Sequence, residues 1–303
     1  MTNLTIKQLR YFEALAEQGH FGRAAATCSI SQPALSVQIK DLETELGAAL
    51  FERGPRQVRL TSFGKEFALR VRDILQAFDA LGDFARAAQG QLSGRFRLGV
   101  IPTIAPYLLP TLIGDLARSN PALDLHVRET LTPRLVQGLH RGEIDTAIVA
   151  LPISEPAFTE IPLFTENFVL VRPLDDAGKP VPSATALREM RLLLLEEGHC
   201  FRDQALSFCN HGPALPRDGL DGSSLATLVQ MVGAGIGVTM IPEMAMAVEA
   251  RSAPVDCARF SNPQPQRTIG MIWRKTNPLA PQLMEIAEVV RHCTLEPAAG
   301  VSA

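Results

Sequence analysis

The segment Ser31-Gln32-Pro33-Ala34-Leu35-Ser36-Val37-Gln38-Ile39-Lys40-Asp41-Leu42-Glu43 decides how the front of this chain is read. Leu35, Ile39 and Leu42 recur at the spacing of one helix face. Ser31 stands where an N-cap belongs, and Pro33 falls in the first turn, where its missing N–H costs nothing. Upstream, Ile6, Leu9, Phe12, Leu15 and Ala16 mark a helix ending at Gly19, and Phe21-Gly-Arg-Ala-Ala-Ala26 starts a short second one. Downstream come Gly47, a Gly54-Pro55 turn and the short strand Val58 to Thr61. Residues 1–60 therefore have the spacing of a winged helix-turn-helix, in which the second helix of the pair enters the major groove.

The polar side chains at the start of that helix, Ser31, Gln32, Ser36 and Gln38, would face base edges, with Lys40 free for phosphate. Glutamine can pair bidentately with adenine. Arg53, Arg56 and Arg59 form a basic wing with no acid from 53 to 65, suited to phosphates or a narrow minor groove. A small helical docking module with a solvated charge run is the alternative on pattern alone.

From Ser62 a long helix runs towards Ala88. Its apolar positions Phe67, Val71, Ile74, Phe78, Leu81, Ala85 and Ala88 step by 4 and 3, a heptad seam. Phe67 to Leu81 are the expected dimer seam; an amphipathic helix packed on its own domain is the alternative. After Gln89-Gly-Gln-Leu-Ser-Gly94 the pattern alternates strand and helix. Strands are read at 95–101, 123–129, 146–151, 168–172, 192–195, 238–241 and 268–273, with helices at 107–119, 133–141, 201–208, 224–233 and 281–292. The alternation predicts parallel sheets covered by helices, laid out as two α/β lobes with a cleft between them. The expected division is 1–60 for DNA binding, 61–90 as a dimerising linker helix and 91–303 as a regulatory domain. Its lobe I covers about 91–165 and 269–303, and its lobe II about 166–268.

Composition fits this layout. The chain has 303 residues, 46% apolar and 20% charged, which excludes disordered, collagen-like and disulfide-scaffold classes. No apolar run could span a bilayer, and the N-terminus lacks a secretory pattern, so a cytoplasmic protein with no membrane partner is expected. The net charge of −3 is uneven: residues 1–65 carry +2 and the remainder −5, consistent with a DNA-binding front end on an acidic body. Five cysteines (28, 200, 209, 257, 293) form no framework, so any disulfide would be a transient, functional one.

A resemblance sharpens this reading. Phe21-Gly-Arg-Ala-Ala25, Ser31 to Ser36, Ile39, Leu42-Glu43, Leu46-Gly47, Leu50-Phe51, Arg53, Leu60-Thr61 and Gly64 resemble the N-terminal signature of LysR-type transcriptional regulators. The likeness covers the whole chain, since that family carries a two-lobed effector domain behind its winged helix-turn-helix. Gly198-His-Cys-Phe-Arg-Asp-Gln-Ala-Leu-Ser-Phe-Cys209 is similar to the redox segment of the family's peroxide-sensing branch, as are Ile101 to Pro110 and Arg267 to Gly270. The resemblance implies that Cys200 reacts with hydrogen peroxide and that Cys209 then closes a disulfide. It implies a peroxide pocket of Thr103, Thr132, His199, Arg202, Asp203 and Arg267. Double-stranded promoter DNA, RNA polymerase and further copies of the chain, as a dimer of dimers, are the implied partners. Phe201 and Leu206 depart from the branch's pattern, and Glu129 to Thr132 match it loosely.

The residues themselves agree. A peroxidatic cysteine must be a thiolate, which needs a helix N-terminus, an arginine or a protonated histidine nearby. Cys200 opens a helical pattern with His199 and Arg202 beside it, and Thr103 follows a strand end where its hydroxyl can donate to a peroxide oxygen. Cys28, Cys257 and Cys293 read as small core residues. No cofactor is implied. A metal reading of His199, Cys200 and Cys209 fails for lack of close ligand pairs, and Gly233 to Gly237 reads as a helix-to-strand joint, not a dinucleotide loop. Two competing functions remain: a regulator binding a small carboxylate in the cleft, with Ser224 at a helix head as donor, and a thiol peroxidase.

Overall fold

The computed structural model describes residues 4–53, 58–87, 92–187, 189–209, 221–261 and 264–295. The chain divides into two compact units, Met1–Ala85 and Arg86–Ala303.

The first unit is helical with a small wing. Helix α1 (Ile6–Gln18) opens with a capping box, in which Thr5 accepts from the Gln8 N–H and the Gln8 side chain accepts from the Thr5 N–H, and closes at Gly19 with φ +58°. Helix α2 (Phe21–Thr27) is followed by α3 (Gln32–Leu46), whose N-cap Ser31 accepts from the Ala34 N–H at 3.3 Å. Strands β1 (Phe51–Arg53) and β2 (Val58–Leu60) pair antiparallel, so the wing strand read from Val58 has a partner that the sequence did not announce. Helix α4 (Ser62–Ala87) follows directly. Gly64 in its first turn is required by close approach: a Cβ there would lie 2.1 Å from the Leu50 carbonyl oxygen. Leu35, Ile39 and Leu42 are fully buried with Phe12 and Leu15.

The heptad seam on α4 needs correction. Val71 is buried, and Phe67 packs edge-on to Phe12 at 5.1 Å, so both belong to the unit's own core. The start of α4 covers α1 because Phe12 would otherwise face water. Ile74, Phe78 and Leu81 are exposed, joined by Phe84 at 67%.

The second unit holds one mixed sheet and two hydrophobic cores. Its elements are β3 (Gly94–Val100), α5 (Ala105–Ser119), β4 (Leu123–Glu129), α6 (Thr132–His140), β5 (Thr146–Leu151), β6 (Phe158–Pro173), α7 (Ala184–Leu187), α8 (Cys200–Phe208), α9 (Leu225–Gly233), β7 (Thr239–Pro242), α10 (Glu243–Glu249), β8 (Val255–Arg259), β9 (Gln266–Arg274) and α11 (Ala280–Leu295). The strand order is β4-β3-β5-β9-β6-β7, with β8 also on β6. One core gathers Leu98, Ile104, Leu112, Ile148, Met271 and Ile286; the other gathers Phe168, Leu170, Leu195, Phe201, Leu228 and Ile241. The architecture is the two-lobed α/β one expected from the sequence.

The expectation of parallel sheets is overturned. Among the described strands only β3 pairs in parallel, with β4 and β5; β9 runs antiparallel to both β5 and β6, and β6 runs antiparallel to β7 and β8. The cause is β6, a 16-residue strand that contributes Phe158 to one core and Phe168 to the other, with β9 returning beside it. The sequence reading saw only its last part, because Thr159 to Asn167 mix polar residues with Pro162. Leu192 to Leu195 is likewise no strand, holding only isolated bridges to Val238 and Gly222. The glycine-rich 233–237 segment does join α9 to β7. Among the described residues no helix is long and apolar enough to cross a membrane.

Candidate functional site

Cys200 is the first residue of α8, and His199 is the N-cap, in extended conformation and with no side-chain cap hydrogen bond. Gly198 precedes them at φ +95°, a left-handed conformation that favours glycine, with Leu131 close by. This turn sets Cys200 in a narrow recess lined by Ile101, Pro102, Thr103, Leu131, Thr132, Gly198 and His199. The recess adjoins a larger cavity of about 370 Å³ between the lobes, which shares Pro102, Thr103, Leu131 and His199.

Two hydroxyls serve the recess. Thr103 is buried, and its Oγ1 accepts from Arg267 Nη1 at 2.8 Å while its carbonyl accepts from Nη2 at 3.1 Å. The hydroxyl proton of Thr103 is thereby directed away from the guanidinium. Thr132 opens α6, and its Oγ1 is buried without a hydrogen-bond partner. The recess is closed to a water-sized molecule as it stands, so a small polar guest that satisfied this hydroxyl would have to part its walls. His199 is buried, and burial pushes its pKa below the ordinary value, with Glu196 acting in the opposite sense. It is neutral at pH 7, so the protonated histidine considered from sequence is not what charges this recess.

Two other expected pocket residues lie elsewhere. Arg202 is buried, but its guanidinium donates to the Leu195 carbonyl at 2.5 Å and pairs with Asp221 at 3.1 Å, tying α8 to its own lobe. Asp203 is exposed. A helix turns 100° per residue, so with Cys200 in the recess the next side chains face away from it. Arg267 reaches the recess only through Thr103. It is held from behind by Glu166, which sequence reading missed, and it lies over the Phe201 ring at 5.5 Å.

Cys209 is the C-cap of α8 and is buried. The two cysteines belong to different cores: Cys200 packs against the first, Cys209 within the second. Nine residues of helix put them about 13 Å apart along the axis, against Cα separations of roughly 4.4–6.8 Å in a disulfide. All five cysteines are thiols, none of them in a disulfide. Burial pushes the Cys28 thiol up, and burial with the Asp256 charge does the same for Cys257. Cys293 donates to Asp115 at 3.1 Å and is pushed up to about 12 by burial and by that carboxylate. Among the described residues no cluster of His, Cys, Asp or Glu could hold a metal ion.

The larger cavity is walled by Glu129 and Glu249, and Tyr107 donates to Glu249 across it at 2.7 Å. Its lining includes Ser224, whose hydroxyl caps α9 by accepting from the Thr227 N–H. No Lys or Arg is among the described residues that line it. Such a wall repels a carboxylate.

On α3, Gln32, Pro33 and Lys40 are exposed, Ser31 is exposed but engaged as the cap, and Ser36 and Gln38 are half-buried at the flanks of the outward face. Val37, overlooked in the sequence, stands on that face 55% exposed. Its β-branched side chain opposite Leu35, Ile39 and Leu42 was the available signal. His20, also missed, caps α2 by accepting from the Gly22 and Arg23 N–H groups. Of the wing arginines, Arg59 is exposed; Arg56 and the side chain of Arg53 lie outside the described residues.

A helix-turn-helix with a wing, ahead of a two-lobed α/β domain, defines a class of bacterial regulator. Residues 6–65 match the model of the bacterial regulatory helix-turn-helix of the lysR family, and residues 89–293 match the LysR substrate binding domain. The chain belongs to the LysR family, in its OxyR branch. It is 43% identical over 291 residues to a probable hydrogen peroxide-inducible genes activator of Streptomyces viridosporus, covering 95% of this chain and 93% of that one. Among solved structures it is similar to a cysteine-to-aspartate variant of full-length OxyR from Pseudomonas aeruginosa, with TM-score 0.76, 37% identity and 97% of each chain covered. It is also similar to a cysteine-to-serine variant of Corynebacterium glutamicum OxyR with hydrogen peroxide bound, with TM-score 0.67, 36% identity and 96% of this chain and 92% of that one covered.

Proposed function

We propose that this chain is a hydrogen-peroxide-sensing transcriptional regulator switched by a reversible disulfide between Cys200 and Cys209. The observation that carries the reading is the recess: a thiol at a helix N-terminus faces one hydroxyl poised to donate and another without a partner.

Cys200, at the first turn of α8, reacts as the thiolate, the nucleophilic form of a cysteine. The thiolate attacks one peroxide oxygen and the O–O bond breaks. The other oxygen leaves as hydroxide, stabilised by donation from Thr103 and Thr132, and takes a proton to become water. Cys200 is now a sulfenic acid. The Cys209 thiol attacks its sulfur, the S–O bond breaks, and a second water leaves. Two thiols and one peroxide thus give one disulfide and two waters, with both electrons supplied by sulfur. The second step cannot occur on an intact α8. The helix must open, releasing Arg202 from Leu195 and Asp221 and lifting Phe201 from between Phe168 and Arg267. Repacking those buried groups gives the lobes a second discrete arrangement.

The output is read on promoter DNA by α3. Gln32 and Val37 meet base edges, Ser31, Pro33, Ser36 and Gln38 complete the helix start and its flanks, and Lys40, Arg53 and Arg56 meet phosphates. Ile74, Phe78, Leu81 and Phe84 form the face that a second copy covers, and dimers pair into a dimer of dimers. The regulator works in the cytoplasm, contacts RNA polymerase, and is not a turnover enzyme. The acidic wall of the larger cavity weighs against the carboxylate-effector alternative.

The test is the non-reduced mass of the peptide spanning 200–209 before and after a stoichiometric peroxide pulse. Loss of two hydrogens is expected in the wild type, gain of one oxygen in Cys209→Ser, and no change in Cys200→Ser. An unchanged wild-type peptide would overturn the reading.

A further inference from the structure

Arg267 is a buried guanidinium without access to water, and such a charge is tolerated only when paired. Its partner is Glu166. The two are direct register neighbours on β6 and β9, the strands that run through both lobes. Glu166 Oε1 accepts from Arg267 Nε at 2.8 Å and lies 2.7 Å from Nη2, and Glu166 Oε2 accepts from the Met244 N–H at 3.4 Å, at the start of α10. With Nε and one edge of the fork fixed by the carboxylate, the remaining N–H groups point at Thr103, reaching its hydroxyl and its carbonyl together.

We infer that Glu166 is a positioning residue for the peroxide reaction: through Arg267 it sets the direction in which the Thr103 hydroxyl donates. An arginine has five donors and no acceptor, so a hydroxyl that receives from it must give its own proton elsewhere. For Thr103 the remaining direction includes the recess that holds Cys200. The proton then meets the peroxide oxygen that leaves as hydroxide, where a pre-aimed donor lowers the barrier. Glu166 touches neither the thiol nor the peroxide. Because it sits on the crossing strands and holds α10, the donor's aim also depends on how the lobes are set. This inference rests on the peroxide reading above and goes beyond it by separating donor alignment from thiolate formation.

The two contributions separate when Glu166 is neutralised: alkylation of Cys200 needs its thiolate alone, and oxidation needs the aimed donor as well. Glu166→Gln frees the guanidinium to rotate and loses the fixed acceptor role of Thr103. The full-length reduced protein is treated in parallel with hydrogen peroxide and with iodoacetamide at pH 7, and Cys200 modification is followed by mass. For Glu166→Gln, oxidation slows about tenfold or more, corresponding to about 1.4 kcal/mol per factor of ten, while alkylation does not slow. Glu166→Asp, which keeps the charge, recovers part of the oxidation rate. Thr103→Val slows oxidation similarly, and the double variant Thr103→Val/Glu166→Gln is no slower than Thr103→Val alone.

Oxidation and alkylation slowing together, or oxidation unchanged, would overturn the inference while leaving the peroxide reading intact. Failure of the wild-type Cys200 to react with peroxide sinks that reading first, and this inference with it. Circular dichroism checks the fold. If Glu166→Gln does not fold, Arg267→Lys takes its place: one ammonium cannot serve Glu166 and both Thr103 oxygens, so the same split between oxidation and alkylation is required.

Discussion

Helices α3 and α8 carry the two chemistries proposed for this chain, and their ends are closed in opposite ways. α3 has fifteen residues, a serine N-cap, a proline in its first turn and a left-handed glycine at its end. The Glu43 carboxylate near its end accepts from the Leu50 and Phe51 N–H groups at 2.8 and 3.1 Å, fastening the wing to it. α8 has nine residues, an N-cap that makes no side-chain cap hydrogen bond, and a cysteine in place of a terminal glycine. A side-chain cap is worth about 1 kcal/mol, and a nine-residue helix owes its stability to packing, not propensity. A helix that reads base edges must keep one shape. A helix that must bring its two ends together is better built from tertiary ties that can let go.

The largest way to break that contrast is to cut the main tie. Arg202→Ala removes the anchor of α8 on Leu195 and Asp221. Losing one partner of a fully buried pair costs about 3 kcal/mol or more, and the cost is smaller here because Asp221 is a third exposed. Labelling of Cys209 in the reduced protein should then rise by roughly tenfold, with DNA binding by α3 unchanged in stability. Unchanged labelling would mean that α8 is held by its core contacts alone.

A smaller effect sharpens the other side. Gln32→Ala should cost about 1–3 kcal/mol on a specific site and little on random DNA, while Arg56→Ala should weaken both and flatten the salt dependence. Equal losses on both DNAs for both variants would remove the assigned reading role of Gln32.

The smallest effect is on pH. Burial holds the folded-state pKa of His199 below its ordinary value of about 6.5. The unfolded chain therefore takes up the proton first, and the stability His199 contributes is whole above pH 6.5 and lost as the pH falls below it. Urea midpoints of the wild type should fall between pH 7 and pH 5 more steeply than those of His199→Asn. Parallel slopes would contradict a buried, neutral His199.

The front unit was legible because its signals are local: the Ser31 cap, Pro33, Gly47 and the Leu35, Ile39, Leu42 face each act within a turn or two. The Cys200 recess was legible in part. Cys200 and His199 are neighbours at a helix start, whereas Glu166 lies 101 residues from Arg267 and is joined to it only by strand register. Period-two patterning cannot announce β6, which runs from one core to another with a register shift between Pro162 and Phe164. Arg202 was misplaced because nearness in sequence to Cys200 is not nearness on a helix, where two residues turn about 200°. The α4 seam was misread at Phe67 and Val71, because a heptad pattern is the same whether its residues meet α1 or a second copy.

Hydrogen exchange of the reduced and oxidised full-length protein, read on the α8 and α3 peptides in one sample, tests the central claim directly. With the disulfide between Cys200 and Cys209 verified by mass, the account predicts that the 201–208 amides lose their protection while those of 35–46 keep theirs. If the 201–208 amides stay as protected in the disulfide form as in the reduced one, α8 does not open, and the switch described here is wrong.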